Sequence, residues 1–169
     1  MGILLRHVSF GVNLTISDHD PSCSDTHGLL RPEVVEALKG VDLILHAGDI
    51  GKPEILTQLQ QLAPVIAVRG NNDRGAWAEA IPEQTTLTIE EVGIHLLHIR
   101  QQLALDLKSA TVQVIISGHS HKPEMVKQDG ILFLNPGSAG PRRFKLPVSV
   151  ARLQIRGSEL EVKILELIG

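Results

Sequence analysis

DLILHAGD, residues 42–49, is a short apolar run that ends on alanine, glycine and aspartate. It has the length of a strand and is apolar nearly throughout, as a strand covered on both faces is. Its carboxylate falls at the C-terminal end, where open α/β sheets bind ligands. Three further runs repeat the pattern. PVIAV (64–68) leads into Arg69-Gly70-Asn71-Asn72-Asp73, GIHLLH (93–98) ends on His98, and VQVIIS (112–117) leads into Gly118-His119-Ser120-His121. Glycines beside these groups let the backbone turn sharply and approach a bound ion.

Between the runs lie helical stretches. RPEVVEALKG (31–40) has Pro32 at a first helical position and Gly40 as its stop, and PEILTQLQQLA (53–63) begins on Pro53 with leucines at helical spacing. The alternation predicts βαβ units and a mostly parallel sheet in the first half. After Ser117 the pattern changes. Residues 123–135 read as a hairpin around Gln128-Asp129-Gly130, and strand-like runs at 148–155 and 159–167 meet at Arg156-Gly157-Ser158. The second half is therefore expected to be largely antiparallel. No repeat, linker or low-complexity segment interrupts the chain, so one domain is expected.

Composition narrows the function. Of 169 residues, 43% are hydrophobic and 21% charged, as in an ordinary globular domain. A net charge of −3 and a pI near 6.2 argue against a stable nucleic-acid complex or a general attraction to anionic membranes. Aromatic residues are only 2%, too few for an extended base-stacking surface. Cys23 is the only cysteine, which excludes an intrachain disulfide and points to a reducing compartment. Arg6, His7 and Asn13 break the first apolar stretch, so no secretory signal is read there. Met1-Gly2 opens like a myristoylation signal, but Arg6 stands where serine or threonine is wanted. No apolar run is long enough to span a bilayer. The expected location is cytoplasmic.

The strand ends offer Asp49, Asn71, His98, His119 and His121. ISDHDPSCSDTHGLL (16–30) adds an aspartate and a histidine, either in Asp18-His19-Asp20 or in Asp25-Thr26-His27. Oxygen and imidazole donors without thiolate suit Mn, Fe, Zn, Co or Ni better than Mg or Ca. These donors are more than one ion needs if water is to share the site. Two ions about 3.5–4 Å apart, bridged by one carboxylate, fit the number. A hydroxide between two metals is a nucleophile at neutral pH, and the metals neutralise charge on a phosphate. Hydrolysis of a phosphate ester follows.

D-x-H (Asp25, His27), G-D (Gly48, Asp49), G-N-x-D (Gly70, Asn71, Asp73), His98 and G-H-x-H (His119, His121) occur in that order, followed by N-P-G-S at Asn135-Pro136-Gly137-Ser138. This series resembles the calcineurin-like metallophosphoesterase superfamily, in its small bacterial and archaeal phosphodiesterase branch, to which the retromer scaffold subunit is related. The resemblance implies a layered αββα sandwich of mixed sheets. Residues 24–169 would form the metallophosphoesterase domain, with residues 1–23 as an atypical N-terminal segment packed on it. It further implies one metal on Asp25, His27, Asp49 and His121, and a second on Asp49, Asn71, His98 and His119. Asp49 would bridge them, and Asp49, Asn71 and His98 would carry the catalytic work. Mn is the first choice for both ions, with Fe, Zn, Ni or Co as alternatives.

The sequence departs from the family pattern twice. Asn72 stands where many members carry a histidine, and an amide cannot protonate a leaving group. Upstream of Asp25, Asp20-Pro21-Ser22-Cys23 does not read as the apolar first strand. Residues 8–16 alternate apolar and polar and could be that strand with an inserted loop; otherwise this end is an altered sequence. Either way, Asp25 and His27 are expected to be the less firmly held ligands.

Other residues have plainer readings. His7, His19 and His95 are taken as ordinary surface or core histidines, and His46 as structural. Asp73 is expected to orient a neighbour, Trp77 to anchor packing, and Cys23 to lack a nucleophilic role. Asn72, Arg142 and Arg143 are the candidate contacts to a small phosphoester substrate. The apolar C-terminal strand could pair two copies into a homo-oligomer. The competing class is a non-catalytic protein-binding scaffold with an impaired metal site.

Overall fold

A computed structural model describes residues 20–108 and 110–169. Two five-stranded sheets stack face to face. The first is built from β1 (Asp20–Cys23), β2 (Ile44–His46), β3 (Val65–Ala67), β9 (Val148–Arg156) and β10 (Glu159–Ile168), in the order β10-β9-β1-β2-β3. The second is built from β4 (Gln84–Ile89), β5 (Val92–Leu97), β6 (Val114–Ile116), β7 (Glu124–Gln128) and β8 (Ile131–Asn135), in the order β4-β5-β6-β8-β7. This is the layered sandwich of mixed sheets that the sequence implies.

The apolar runs are explained by what covers them. In β2, Ile44 faces a core shared with α1 (Pro32–Ala37) and α2 (Pro53–Gln60), while Leu45 faces the core between the sheets. In β6, Val114 and Ile116 point inward between the sheets and Ile115 points outward. Both helices start on proline, whose missing N–H costs nothing in a first turn. Trp77, on α3 (Ala76–Glu79), packs against the helix-side core.

The outer face of the second sheet is covered differently. One 3-10 turn (Arg100–Gln102) precedes Leu103, Leu105, Leu107 and Ala110, which pack on Leu97, Val112, Ile115 and Phe133. No described helix is long and apolar enough to cross a membrane.

The first strand corrects the sequence reading. Asp20–Cys23 is β1, and it lies in the middle of the first sheet, parallel to β2 and antiparallel to β9. Residues 8–16, the alternative for this strand, lie outside the described residues. The parallel register with β2 begins at Ser22, so Pro21 pairs only with β9, and its missing N–H leaves no gap in the parallel ladder. Ser22 and Cys23 are fully buried. Two flanking strands and the helix layer impose the extended form on residues of poor strand propensity.

Two further points depart from expectation. β4 was not read as a strand, yet it pairs antiparallel with β5 along its whole length. The second half is also more mixed, because β5, β6 and β8 run parallel. The hairpin between β7 and β8 is as expected: Asp129 and Gly130 both have positive φ, as a two-residue turn of this kind requires.

Candidate metal centre

The parallel strands β1, β2 and β3 end side by side, and β5 and β6 end opposite them in the facing sheet. Each end carries one of the motifs. Backbone bonds lock the ends together: Asp25 N to Gly48 O at 3.0 Å, His27 N to Asp49 O at 2.9 Å, and Gly118 N to His98 O at 3.0 Å. His98 Nδ1 donates across the sandwich to Ala47 O at 2.7 Å, which turns its Nε2 toward the centre.

All seven predicted ligands converge. Asp25, His27 and His121 form one group and Asp25, Asp49 and His98 a second, with donor atoms in each lying within 4.8 Å of one another. Asp25 Oδ1 lies 3.3 Å from His121 Nε2 and 3.7 Å from His27 Nε2. Asp49 Oδ2 lies 3.6 Å from His27 Nε2 and 3.4 Å from His98 Nε2. Asn71 Oδ1 is 3.1 Å from both His98 Nε2 and His119 Nδ1.

The backbone is strained to achieve this. Asp25, His27, Asp49, His119 and His121 all have φ between 45° and 69°, a region that residues other than glycine seldom adopt. Such strain persists where surrounding structure over-determines it, and here it falls on five of the seven predicted ligands. Space is equally tight. A Cβ on Gly70 would lie 2.1 Å from Asp49 Oδ1 and 2.2 Å from Asp49 N, so only glycine fits.

Burial pushes the Asp49 carboxyl up, but hydrogen bonds from His98 and Asn72 outweigh it and hold it below the usual carboxylate range. Asp25 is also held low: burial opposes ionisation, and the approach of His27 Nε2, the bond from Ser24 and the charge of His121 favour it. Both carboxylates are therefore anionic at neutral pH. Asp25 Oδ1 is buried without a hydrogen-bond partner, and an unpaired buried carboxylate oxygen is costly unless a cation meets it. The donor set and this orphaned oxygen fit a divalent metal.

Asp25 is the aspartate that enters the centre. It is not loosely held, contrary to expectation: Ser24 Oγ donates to Oδ2 at 2.5 Å and His119 N donates to the same oxygen at 3.1 Å. The expectation rested on a missing first strand, and β1 removes that ground. Asp18 and His19 lie outside the described residues.

The neighbours divide by role. Asp73 accepts from Ile50 N, Gly51 N and Gly70 N, so it orients two ligand loops as expected. Asn72 donates through its backbone to Asp49 Oδ1 at 2.9 Å and through its amide to Asp49 Oδ2 at 2.7 Å. Arg143 Nη2 comes within 3.5 Å of His27 Nε2, whereas Arg142 Nε donates to Leu146 O. Sequence reasoning missed Ser24 and underrated Asn135, whose Nδ2 donates to Gly118 O and Ser120 Oγ and so braces the G-H-x-H loop. Its place at the end of a buried strand, like the other motifs, was the available signal.

His95 is a satisfied core histidine, bonded to Thr86 and Gln84. Burial pushes the Cys23 thiol up to about 12, which leaves it inert. His46 is fully buried between Thr26 Oγ1 and Gly48 N, and burial lowers its pKa from 6.5 to about 4. Unfolded chains therefore bind a proton here between these values and folded ones do not. Stability from this residue is complete above about pH 6.5 and falls as pH drops toward 4. From pH 7.5 to 4.5 the loss from this residue should be about 2–3 kcal/mol. Denaturant titrations at both pH values check it: His46→Gln should lose less over this interval than the parent, and equal losses would remove His46 as the cause.

Similarity to known proteins identifies the family. The calcineurin-like phosphoesterase superfamily domain matches residues 22–158. A probable metallophosphoesterase of Methanothermobacter thermautotrophicus is 40% identical over 154 residues, covering 84% of this chain and 88% of that protein. A phosphodiesterase of Methanocaldococcus jannaschii is 29% identical, covering 68% of this chain and 80% of its own length. Among solved structures, a single mutant of Vps29 from Entamoeba histolytica is 26% identical with a TM-score of 0.70, covering 88% of this chain and 98% of that one. With the family domain matched from β1 to the turn after β9, and with a 40% identical relative, the chain belongs to the calcineurin-like phosphoesterase superfamily.

Proposed function

We propose that the protein is a phosphodiesterase whose centre takes two divalent metals, Mn foremost and Fe, Zn, Ni or Co as alternatives. One observation carries the reading: Asp49 Oδ2 faces His27 Nε2 at 3.6 Å and His98 Nε2 at 3.4 Å, so one carboxylate addresses both imidazole groups. Asp25, His27 and His121 would hold one ion with Asp49, and Asn71, His98 and His119 the other. When bound, such a pair supplies a water-derived nucleophile at neutral pH and neutralises charge on the phosphate.

The chain's own residues do the positioning. Asn72 fixes both oxygens of Asp49, and Asp73 ties the loops of Asp49 and Asn71 into one frame. A cavity of about 370 Å³ opens beside Asn71 and His98, lined also by Arg69, Glu83, Gln84 and Gln102, and gives room for an ester substituent. Asn72 has no proton to give, so esters with good leaving groups should react fastest. The phosphodiesterase among the relatives supports the substrate class. A single buried, free Cys23 is consistent with a cytoplasmic location.

Purified protein should cleave an activated aryl phosphodiester with Mn²⁺ and stop when chelator is added. Undiminished turnover in metal-free protein would sink the proposal. Tight metal binding without turnover of diesters or monoesters would favour a scaffold, for which the likeness to Vps29 is the supporting observation.

A further inference from the structure

Phe144 is 94% exposed, whereas the other described aromatics, Trp77 and Phe133, pack into cores. It lies in Pro141-Arg142-Arg143-Phe144-Lys145-Leu146-Pro147, a cationic loop bracketed by prolines. Leu146 N donates to Arg143 O at 3.0 Å, closing a turn with Phe144 and Lys145 at its centre. Phe144 has φ 52°, and the first central position of such a turn normally takes glycine or asparagine. A bulky aromatic side chain is thus held out in solvent by a backbone that disfavours it.

The loop belongs to the metal centre by its anchors. Ala139 N donates to Ser24 O at 2.9 Å, Ser138 Oγ to Asp25 O at 3.1 Å, and Arg31 Nε to Gly140 O at 2.8 Å. Arg143 then reaches His27, with Nη2 3.5 Å from Nε2. Among the described residues, Arg143 forms no ion pair with a carboxylate, so its guanidinium is available to an anion at the mouth of the centre. A cation beside the centre and a ring one residue away match a phosphate that carries an aromatic group.

We infer that Phe144 is a stacking platform for an aromatic substituent of the phosphoester, with Arg143 holding the adjacent phosphate. The inference rests on the phosphodiesterase reading for its ligand, and it narrows the substrate to aryl or nucleoside esters. A second copy or an anionic membrane is less favoured, because the arginine beside the ring turns inward to His27.

Calorimetry on the Mn²⁺-loaded protein with phenyl phosphate, thymidine 5′-monophosphate and methyl phosphate tests it. The parent should bind at least one aromatic ester about fivefold to tenfold more tightly than methyl phosphate. The tighter of the two tells an aryl from a nucleoside source. Phe144→Gly suits the turn, so its melting temperature should not fall, and it should bind all three ligands alike. Persistence of the aromatic preference in Phe144→Gly would overturn the inference, as would equal weakening for methyl phosphate. Loss of a dimer in light scattering, or of binding to anionic vesicles, with the preference intact would give the ring to those partners instead. If no diester is turned over but the Phe144-dependent preference remains, the phosphodiesterase reading fails and the platform stands.

Discussion

Asp49→Ala should lose metal from both positions and lower diester turnover by about 10³-fold or more. The expectation follows from where the carboxylate points. Its Oδ2 is the atom closest to both His27 and His98, and its Oδ1 is held by Asn72 N. Alanine removes the donor shared by both groups and leaves Asn72 without its acceptor. His121→Ala removes only a donor near Asp25 and His27, so metal content should fall by roughly half as much. Elemental analysis of the two variants beside the parent decides the matter. Equal losses in both, or full occupancy in Asp49→Ala, would mean that Asp49 does not bridge.

Folding should respond as well as activity. Without metal, Asp25 and Asp49 are two buried anions whose oxygens lie within 4.8 Å. The hydrogen bonds from Asn72 outweigh that proximity and hold the Asp49 carboxyl below its usual range, so its anion adds to the stability of the folded state at neutral pH. Metal-free Asp49→Ala should therefore melt below the metal-free parent, and the parent alone should gain stability when Mn²⁺ is added. A variant that simply unfolds would show no melting transition at all.

The strand ends that converge on the candidate centre were legible because buried parallel strands leave a distinct pattern: apolar residues on both faces, then a sudden polar group beside glycine. Ile44 and Leu45 face different cores, so both must be apolar, and His46, itself fully buried, is the one polar side chain between them and Asp49. Asp73 was legible for a related reason, since a second carboxylate two residues beyond Asn71 had to bond something. β1 was not legible. Its residues make their strand through partners on both sides rather than by their own preference, and Pro21 reads as a break until its pairing only with β9 is known. β4 escaped notice because its exposed outer face keeps threonine and glutamine in the run. Ser24 was hidden by size: its hydroxyl matters only because Asp25 is folded back onto it, and the positive φ of Asp25 cannot be read from residue type.

Gly70→Ala should be among the most damaging changes of a single methyl group in the site. Its Cβ would meet Asp49 Oδ1 at 2.1 Å, Asp49 N at 2.2 Å and Asp49 Cα at 2.8 Å. Two of these are backbone atoms, so no rotamer can relieve the contact. Either the loop after β3 or the Asp49 loop must move, and both are pinned: Gly70 N donates to Asp73 Oδ2, and the Asp49 carbonyl accepts from His27 N. Overpacking of a rigid site costs about 3 kcal/mol, and displacing a ligand by about 1 Å costs about 10²-fold in rate. Gly40→Ala is the control. Gly40 has φ +72° with nothing within 4 Å of its Cβ position, so alanine there should cost only the left-handed penalty of about 1–2 kcal/mol and leave turnover unchanged. Thermal melts and diester turnover on both variants separate backbone strain from steric displacement. Full activity in Gly70→Ala would show that Asp49 can yield to a methyl group, and then the close approach of Gly70 to the Asp49 loop could not be what holds the shared carboxylate in place.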